Sequence, residues 1–252
     1  MLVFPNAKIN IGLCVVENRA DGFHNIESIF YPVFDLFDVL EVVESKVLSF
    51  TSSGIEIPGS STSNLCVQAF QLVKSDFDIP FVTIHLHKVI PIGAGLGGGS
   101  ADAAFMLKAL NDLFNLNLTV DELINYARKL GSDCAFFIEN TPVYAFNKGD
   151  DFEKIELNLT DYQLKIEYPN IHIGTKEAYN GIAPLSSKQC LKDIISKPIE
   201  EWKTLLENDF EKSVFPSHPS IENVKKKMYA DGAVFASMTG SGSAVFGLFK
   251  NK

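Results

Sequence analysis

The stretch Pro91-Ile92-Gly93-Ala94-Gly95-Leu96-Gly97-Gly98-Gly99-Ser100-Ala101 concentrates glycine between a strand-like segment and a helix-like one. Glycines at such a turn let the backbone take positive φ and come close to a ligand. The free N–H groups of the helix start, with the helix dipole behind them, attract an anion, and a phosphate is the natural guest. Gly93-x-Gly95-x-x-Gly98 also matches a dinucleotide fingerprint, which needs an acidic residue about 20 positions on, at the end of a second strand. That region is Leu118-Thr119-Val120-Asp121-Glu122, where Thr119 and Glu122 read as a capping box opening another helix. Gly93 to Ser100 lines up with a Walker A loop, but Gly99 stands where its lysine belongs. The plain structural alternative is a loop that only lets helix and sheet pack closely.

A phosphate site needs positive charge and phosphoryl transfer needs a proton acceptor. Ala7 to Val16 alternates as a strand, with Ala7, Ile9, Ile11 and Leu13 on one face and Lys8, Asn10 and Gly12 on the other. Lys8 and Asn10 thus share a direction, toward solvent or toward a ligand. Asp133 stands before the apolar run Cys134 to Ile138, either as a helix N-cap or as a partly desolvated carboxylate beside a pocket. His85 and His87 share a strand face, but no third ligand lies near them in sequence, so a solvated sheet face is expected there.

The elements that must position these groups are legible in outline. Asp21-Gly22 marks a turn that carries Phe23 and His24 at a hairpin tip before the apolar run Ile26 to Phe34. A strand over 38–44, a surface loop over 52–63 and a helix over 64–74 follow. A strand then leads into the glycine stretch, and Ala103, Met106, Leu107, Leu110, Leu113 and Phe114 fall on one helical face. A helix over 120–130 stops at Gly131, read as a C′ glycine. Strands over 142–146 and 162–168 flank Gly149-Asp150-Asp151, where a domain boundary is placed. Helices near 176–179, 188–196, 199–207 and 221–228 precede two apolar strands around Thr239-Gly240-Ser241-Gly242-Ser243. That second Gly/Ser loop is a hairpin turn or a flap over a phosphate or sugar.

With 252 residues and 46% hydrophobic content the chain can fill one large core or two modest ones. A formal net charge of −9 argues against nonspecific binding to nucleic acid or anionic membrane, so any phosphate site must be built locally. Cys14, Cys66, Cys134 and Cys190 show no paired spacing, which points to reduced thiols in the cytoplasm. No apolar run reaches the length of a membrane span, and no signal segment is evident at the start.

Three stretches, Ala7-Lys8-Ile9-Asn10-Ile11-Gly12-Leu13, Pro91 to Ala104 and Met238 to Phe246, resemble in order the three motifs of the GHMP kinases. Arg19-Ala20-Asp21-Gly22-Phe23-His24 and Gly131-Ser132-Asp133-Cys134 narrow the likeness to members that phosphorylate a cytidine-diphosphate-linked methylerythritol in non-mevalonate isoprenoid synthesis. Homoserine or mevalonate as the alcohol, or a nucleotide-binding module without turnover, are the alternatives. The resemblance implies an α+β fold of two domains with a ligand cleft between them. The N-terminal one, residues 1–150, would be of the ribosomal-S5-domain-2 type and bind ATP; residues 151–252 would be ferredoxin-like. It further implies that Pro91 to Ala101 holds the ATP phosphates, Lys8 and Asp133 form the catalytic pair, Asn10 and His24 bind substrate and Phe23 stacks on cytosine. Mg²⁺ would accompany ATP, with the Ser100 hydroxyl as candidate ligand and no acidic residue marked by position. An aromatic second wall for the base is expected near 168–175, where the sequence shows His172-Ile173.

Overall fold

A computed structural model of the chain describes residues 1–182 and 190–251. In chain order the first half comprises β1 (Leu2–Val3), β2 (Asn6–Asn18), β3 (His24–Phe37), β4 (Val39–Ser45), β5 (Ser49–Gly54), α1 (Leu65–Asp76), β6 (Phe81–Lys88), α2 (Gly98–Leu113), α3 (Val120–Leu130) and α4 (Phe136–Glu139). The second half comprises β7 (Val143–Phe146), β8 (Asp151–Lys154), β9 (Tyr162–Glu167), α5 (Thr175–Tyr179), α6 (Leu191–Ile195), α7 (Ile199–Leu205), α8 (Phe210–Ser217), α9 (Pro219–Ala230), β10 (Phe235–Met238) and β11 (Val245–Lys250). The start of the helix expected from Lys188 lies outside the described residues. The chain forms two compact units, each discontinuous in sequence: Met1–Lys8, Pro32–Ile92 and Gly97–Thr141 make one, and Ile9–Tyr31, Gly93–Leu96 and Pro142–Lys252 the other.

The first unit is built on the sheet β1-β4-β6-β5, in which β4 runs antiparallel to β6 and β5 parallel to it. Period-2 alternation buries Leu40, Val42, Val82, Ile84 and Leu86 on one face. Helices α1, α2 and α3 pack on one another, and α2 also meets β4. Alanines 101, 103, 104 and 109 of α2 are fully buried beside Met106, Leu107 and Leu110, and their small side chains allow close approach. Truncating Leu107 to Ala would leave a cavity costing about 2–5 kcal/mol. Asn64 caps α1 by accepting the Cys66 N–H. Thr119 and Glu122 form the expected capping box of α3. On the open face of the sheet, His85 and His87 hydrogen-bond the hydroxyls of Thr51 and Ser53.

The second unit holds the sheet β2-β3-β7-β8, whose first two strands also extend into the first unit, and the antiparallel sheet β10-β11-β9. Leu13, Val15, Phe210, Val214, Ile221 and Met238 belong to one buried cluster there. Three local readings are corrected. The segment read as a surface loop from Ser52 begins inside β5, a polar strand paired with β6 over Ser49 to Gly54. Gly131 ends α3 with φ 170°, extended backbone that any residue adopts, so no left-handed C′ glycine is needed. Asp133 caps no helix: it sits in a 3₁₀ turn, Ser132–Cys134, and the short α4 that follows has no side-chain cap.

Candidate active site

Asp133 is carried by a tight connection. Helix α3 ends with the Gly131 N–H on the Ala127 carbonyl, and the next turn closes with the Cys134 N–H on Gly131 O. Cys134, Phe136 and Phe137 bury themselves beneath it and leave the Asp133 side chain 34% exposed. Its Oδ2 lies 3.2 Å from Nζ of Lys8, whose side chain is 4% exposed. Residues 125 positions apart in sequence are thus brought together as an ion pair with one accessible partner. The pair holds the buried ammonium in place and leaves the carboxylate partly open to solvent, where it could receive a proton.

The glycine loop is shaped around that lysine. Gly97 has φ +72°, and a Cβ on it would come within 2.9 Å of Lys8 Cγ and 3.0 Å of Phe137 Cζ. Only glycine satisfies both the left-handed backbone and the passage of the lysine stem. Gly98 opens α2 without positive φ; a Cβ there would meet Ile90 at 2.8 Å and Nζ of Lys88 at 2.9 Å. Gly99 is exposed, with only Leu65 at 3.8 Å from its would-be Cβ. The first turn of α2 is therefore crowded behind and open in front, the form of a cradle for an anion. The Ser100 hydroxyl is hydrogen-bonded to the Cys134 thiol, which burial pushes up to about 11 against that bond.

Beneath the same turn lies a cluster that sequence reasoning missed. Lys88 Nζ sits 2.5 Å from Asp38 Oδ2 and 2.7 Å from Asp102 Oδ2, all three side chains at most 4% exposed. The other Asp38 oxygen accepts the Val89 and Ile90 N–H groups. Asp102 Oδ1 is the buried side-chain polar atom without a hydrogen-bond partner among the described residues. Burial pushes the Asp102 carboxyl up to about 7, with Lys88 opposing and Asp38 reinforcing. A lone lysine at a strand end and an aspartate inside a helix gave no signal of this. A pocket of about 240 Å³ in the first unit, lined by Phe50, Thr51, Ile57, Pro58, Ser61 and Asn64, also escaped the sequence reading.

In the second unit Asn10 is buried: its Nδ2 donates to Ser28 Oγ at 2.9 Å, and Ser28 in turn donates to Gly12 O. Loop residues Ala94 and Gly95 face the second Gly/Ser loop. Ala94 O accepts the Ala244 N–H, and a Cβ on Gly95, at φ +79°, would fall 2.0 Å from Thr239 O. The hairpin tip is pre-organised. Arg19 grips Asp21 through Nε and Nη2, Asp21 Oδ1 accepts the Phe23 N–H, and Phe23 projects with 60% exposure. His24 stacks on Tyr179 at 4.1 Å and 19°. Ile173, where an aromatic wall was sought, is buried in the core, and His172 lies over Gly93. The aromatic ring beside His24 is Tyr179, at the end of α5, packed edge-on against Phe210.

A buried lysine and a partly exposed carboxylate thus meet on the same unit as a glycine-rich helix start. The family models for the GHMP kinase N-terminal and C-terminal domains match residues 64–140 and 190–252. The chain belongs to the GHMP kinase family, with its mixed α+β, two-domain architecture. It is 51% identical to the 4-diphosphocytidyl-2-C-methyl-D-erythritol kinase of Cytophaga hutchinsonii over 100% of this chain and 93% of that protein. It is 50% identical to the enzyme of the same name from Bacteroides fragilis over 99% and 92%. Among solved structures it resembles 4-(cytidine 5'-diphospho)-2C-methyl-D-erythritol kinase with TM-score 0.86 and 31% identity, covering 98% of this chain and 90% of that one. A homoserine kinase of Cytophaga hutchinsonii shares the fold at TM-score 0.67 and 19% identity, covering 98% and 85%.

Proposed function

We propose that this protein transfers the γ-phosphate of ATP to the 2-hydroxyl of 4-diphosphocytidyl-2-C-methyl-D-erythritol, giving the 2-phosphate and ADP in non-mevalonate isoprenoid synthesis. The observation that carries this reading is the 51% identity to a relative of that name along the whole chain. The residue chemistry supports it. Asp133 accepts the hydroxyl proton, and Lys8 offsets the negative charge that develops as the phosphoryl group moves. The N–H groups of the first turn of α2, at Gly98, Gly99 and Ser100, hold the phosphates. Leu65 next to Gly99 continues to Asn64, so the 240 Å³ pocket gives the nucleoside of ATP a place on the same unit.

At the substrate end, Phe23 offers a stacking face and His24 a hydrogen-bonding edge to cytosine, while Asn10 contacts the alcohol. Mg²⁺ fits as a companion of the nucleotide. Among the described residues no cluster of three or more His, Cys, Asp or Glu is placed to cage a metal. The phosphates would then supply most of its oxygen ligands, with the Ser100 hydroxyl as the protein's contribution. The assignment is tested by following ADP release with this alcohol, homoserine and mevalonate in parallel. Turnover with the cytidylated alcohol is expected; turnover confined to homoserine or mevalonate would overturn it.

A further inference from the structure

Asn208, 1% exposed and just ahead of α8, makes three buried hydrogen bonds. Its Nδ2 donates to Met238 O at 2.8 Å and to Gly240 O at 2.9 Å, and its Oδ1 accepts the Phe210 N–H at 3.0 Å. The two carbonyls belong to the residues on either side of Thr239. Glu211, one turn further on, accepts the Met238 N–H at 2.9 Å and the Ser237 hydroxyl at 3.1 Å. The backbone leading into the Gly/Ser loop is thus held from both its donor and its acceptor side.

Thr239 passes that constraint on. Its Oγ1 accepts the Asn10 N–H at 2.9 Å and donates to Gly95 O at 3.2 Å. The segment that carries Asn208 is itself tied to β2: Leu13 N–H donates to Glu207 O, Asp209 N–H to Leu13 O, and Val15 N–H to Asp209 Oδ2. One rigid bracket therefore fixes the strand of Asn10 and the loop that touches both Asn10 and Gly95.

We infer that Asn208 is a positioning residue for phosphoryl transfer: it sets the Met238–Gly240 backbone so that Thr239 holds Asn10 and Gly95 in their reactive places. The inference rests on the kinase reading above. An isolated buried amide could equally serve stability alone, so the test needs a response that simple loosening would not give. Asn208→Asp supplies it. The variant keeps the shape and the oxygen that accepts the Phe210 N–H, but turns the donor pair into an oxygen facing two carbonyls. Ionised, it repels both; protonated, it restores one donor. The nearby charges leave it little relief, because Lys212 is bound to Glu207 and Asp209, and Lys225 to Glu211.

The experiment measures kcat of wild type and Asn208→Asp from pH 6 to 9 with ATP and the cytidylated alcohol, with circular dichroism at each pH. At pH 9 the variant is expected to be slower by about 10²-fold, the cost of a small misplacement of reacting groups. The ratio to wild type should climb as pH falls. A variant-to-wild-type ratio that stays constant across pH, with the fold intact, overturns the inference. Should Asn208→Asp not fold, Asn208→Ala decides: a lowered kcat with both KM values near wild type supports the role, and wild-type kcat refutes it. A wild type that phosphorylates a different alcohol overturns the substrate reading alone, since the same ratio on that alcohol still decides for Asn208. A wild type without kinase activity overturns both.

Discussion

The ammonium of Lys8 and the carboxylate of Asp133 meet at 3.2 Å, the first buried and the second one-third exposed. In the proposed transfer this asymmetry would separate their work, with the lysine stabilising charge and the aspartate accepting the proton. Asp133→Asn should fold normally and lose about 10²–10⁴ in kcat, the worth of a positioned base. Lys8→Met should lose a similar amount through missing charge stabilisation. Steady-state kinetics with circular dichroism checks both, and wild-type turnover in either folded variant would remove the pair from the chemistry.

The glycine loop separates packing from binding. Gly97→Ala meets a left-handed φ and two neighbours at about van der Waals overlap, and Gly98→Val meets Ile90 and Lys88, so both should lower stability as well as ATP affinity. Gly99→Ala has open space and should melt like wild type, yet weaken ATP binding because its methyl stands on the face offered to the phosphates. Calorimetric ATP titration and thermal melting decide this. Unchanged ATP affinity in Gly99→Ala would leave the loop a packing device.

Strand β2, the glycine turn, α2 and the capped α3 were legible because each carries its own local signal: alternation, glycine, a 3.6-residue face and the Thr119/Glu122 box. The pairing of Lys8 with Asp133 was legible only through the resemblance. What stayed hidden is held by distant partners. Strand β5 reads as polar loop and exists through parallel pairing with β6. Helix α8 carries Pro216 within it, which reads as a break. Asn208 and Tyr179 act across the fold, on residues 30 positions or more away in sequence or on a ring in another element.

Base recognition should divide between two neighbours. Cytosine offers an N3 acceptor and an N4 donor where uracil offers the reverse, and each mismatched buried group costs about 1–3 kcal/mol. His24→Ala should therefore lower kcat/KM for the cytidine substrate and narrow the gap to its uridine analogue. Phe23→Ala should weaken both alike, since stacking, at about 1–3 kcal/mol, does not distinguish the bases. Equal discrimination in His24→Ala and wild type would assign selectivity elsewhere, with Tyr179 the next residue to substitute.

The Asp102 carboxyl makes stability depend on pH in the direction opposite to an ordinary salt-bridged aspartate. Its value rises from 3.8 to about 7 in the folded chain because it is buried. Between those two values the folded state holds a proton that the unfolded state has released, so this group's contribution falls as pH rises and levels off above 7. Asp102→Asn keeps an oxygen for Lys88 and should remove about one proton from the difference in binding between the two states. Urea unfolding from pH 5 to 8 measures this as a difference between variant and wild type. Identical pH dependence in the two would mean that Asp102 is ionised throughout.

The most direct measurement is the identity of the product. Purified protein with ATP and 4-diphosphocytidyl-2-C-methyl-D-erythritol should yield one new phosphomonoester by phosphorus NMR, on the C2 oxygen, with the diphosphate bridge intact and one ADP per product. Methylerythritol phosphate without cytidine should react far more slowly. ADP formed with free phosphate and no new monoester, or equal turnover of the compound lacking cytidine, would contradict the account.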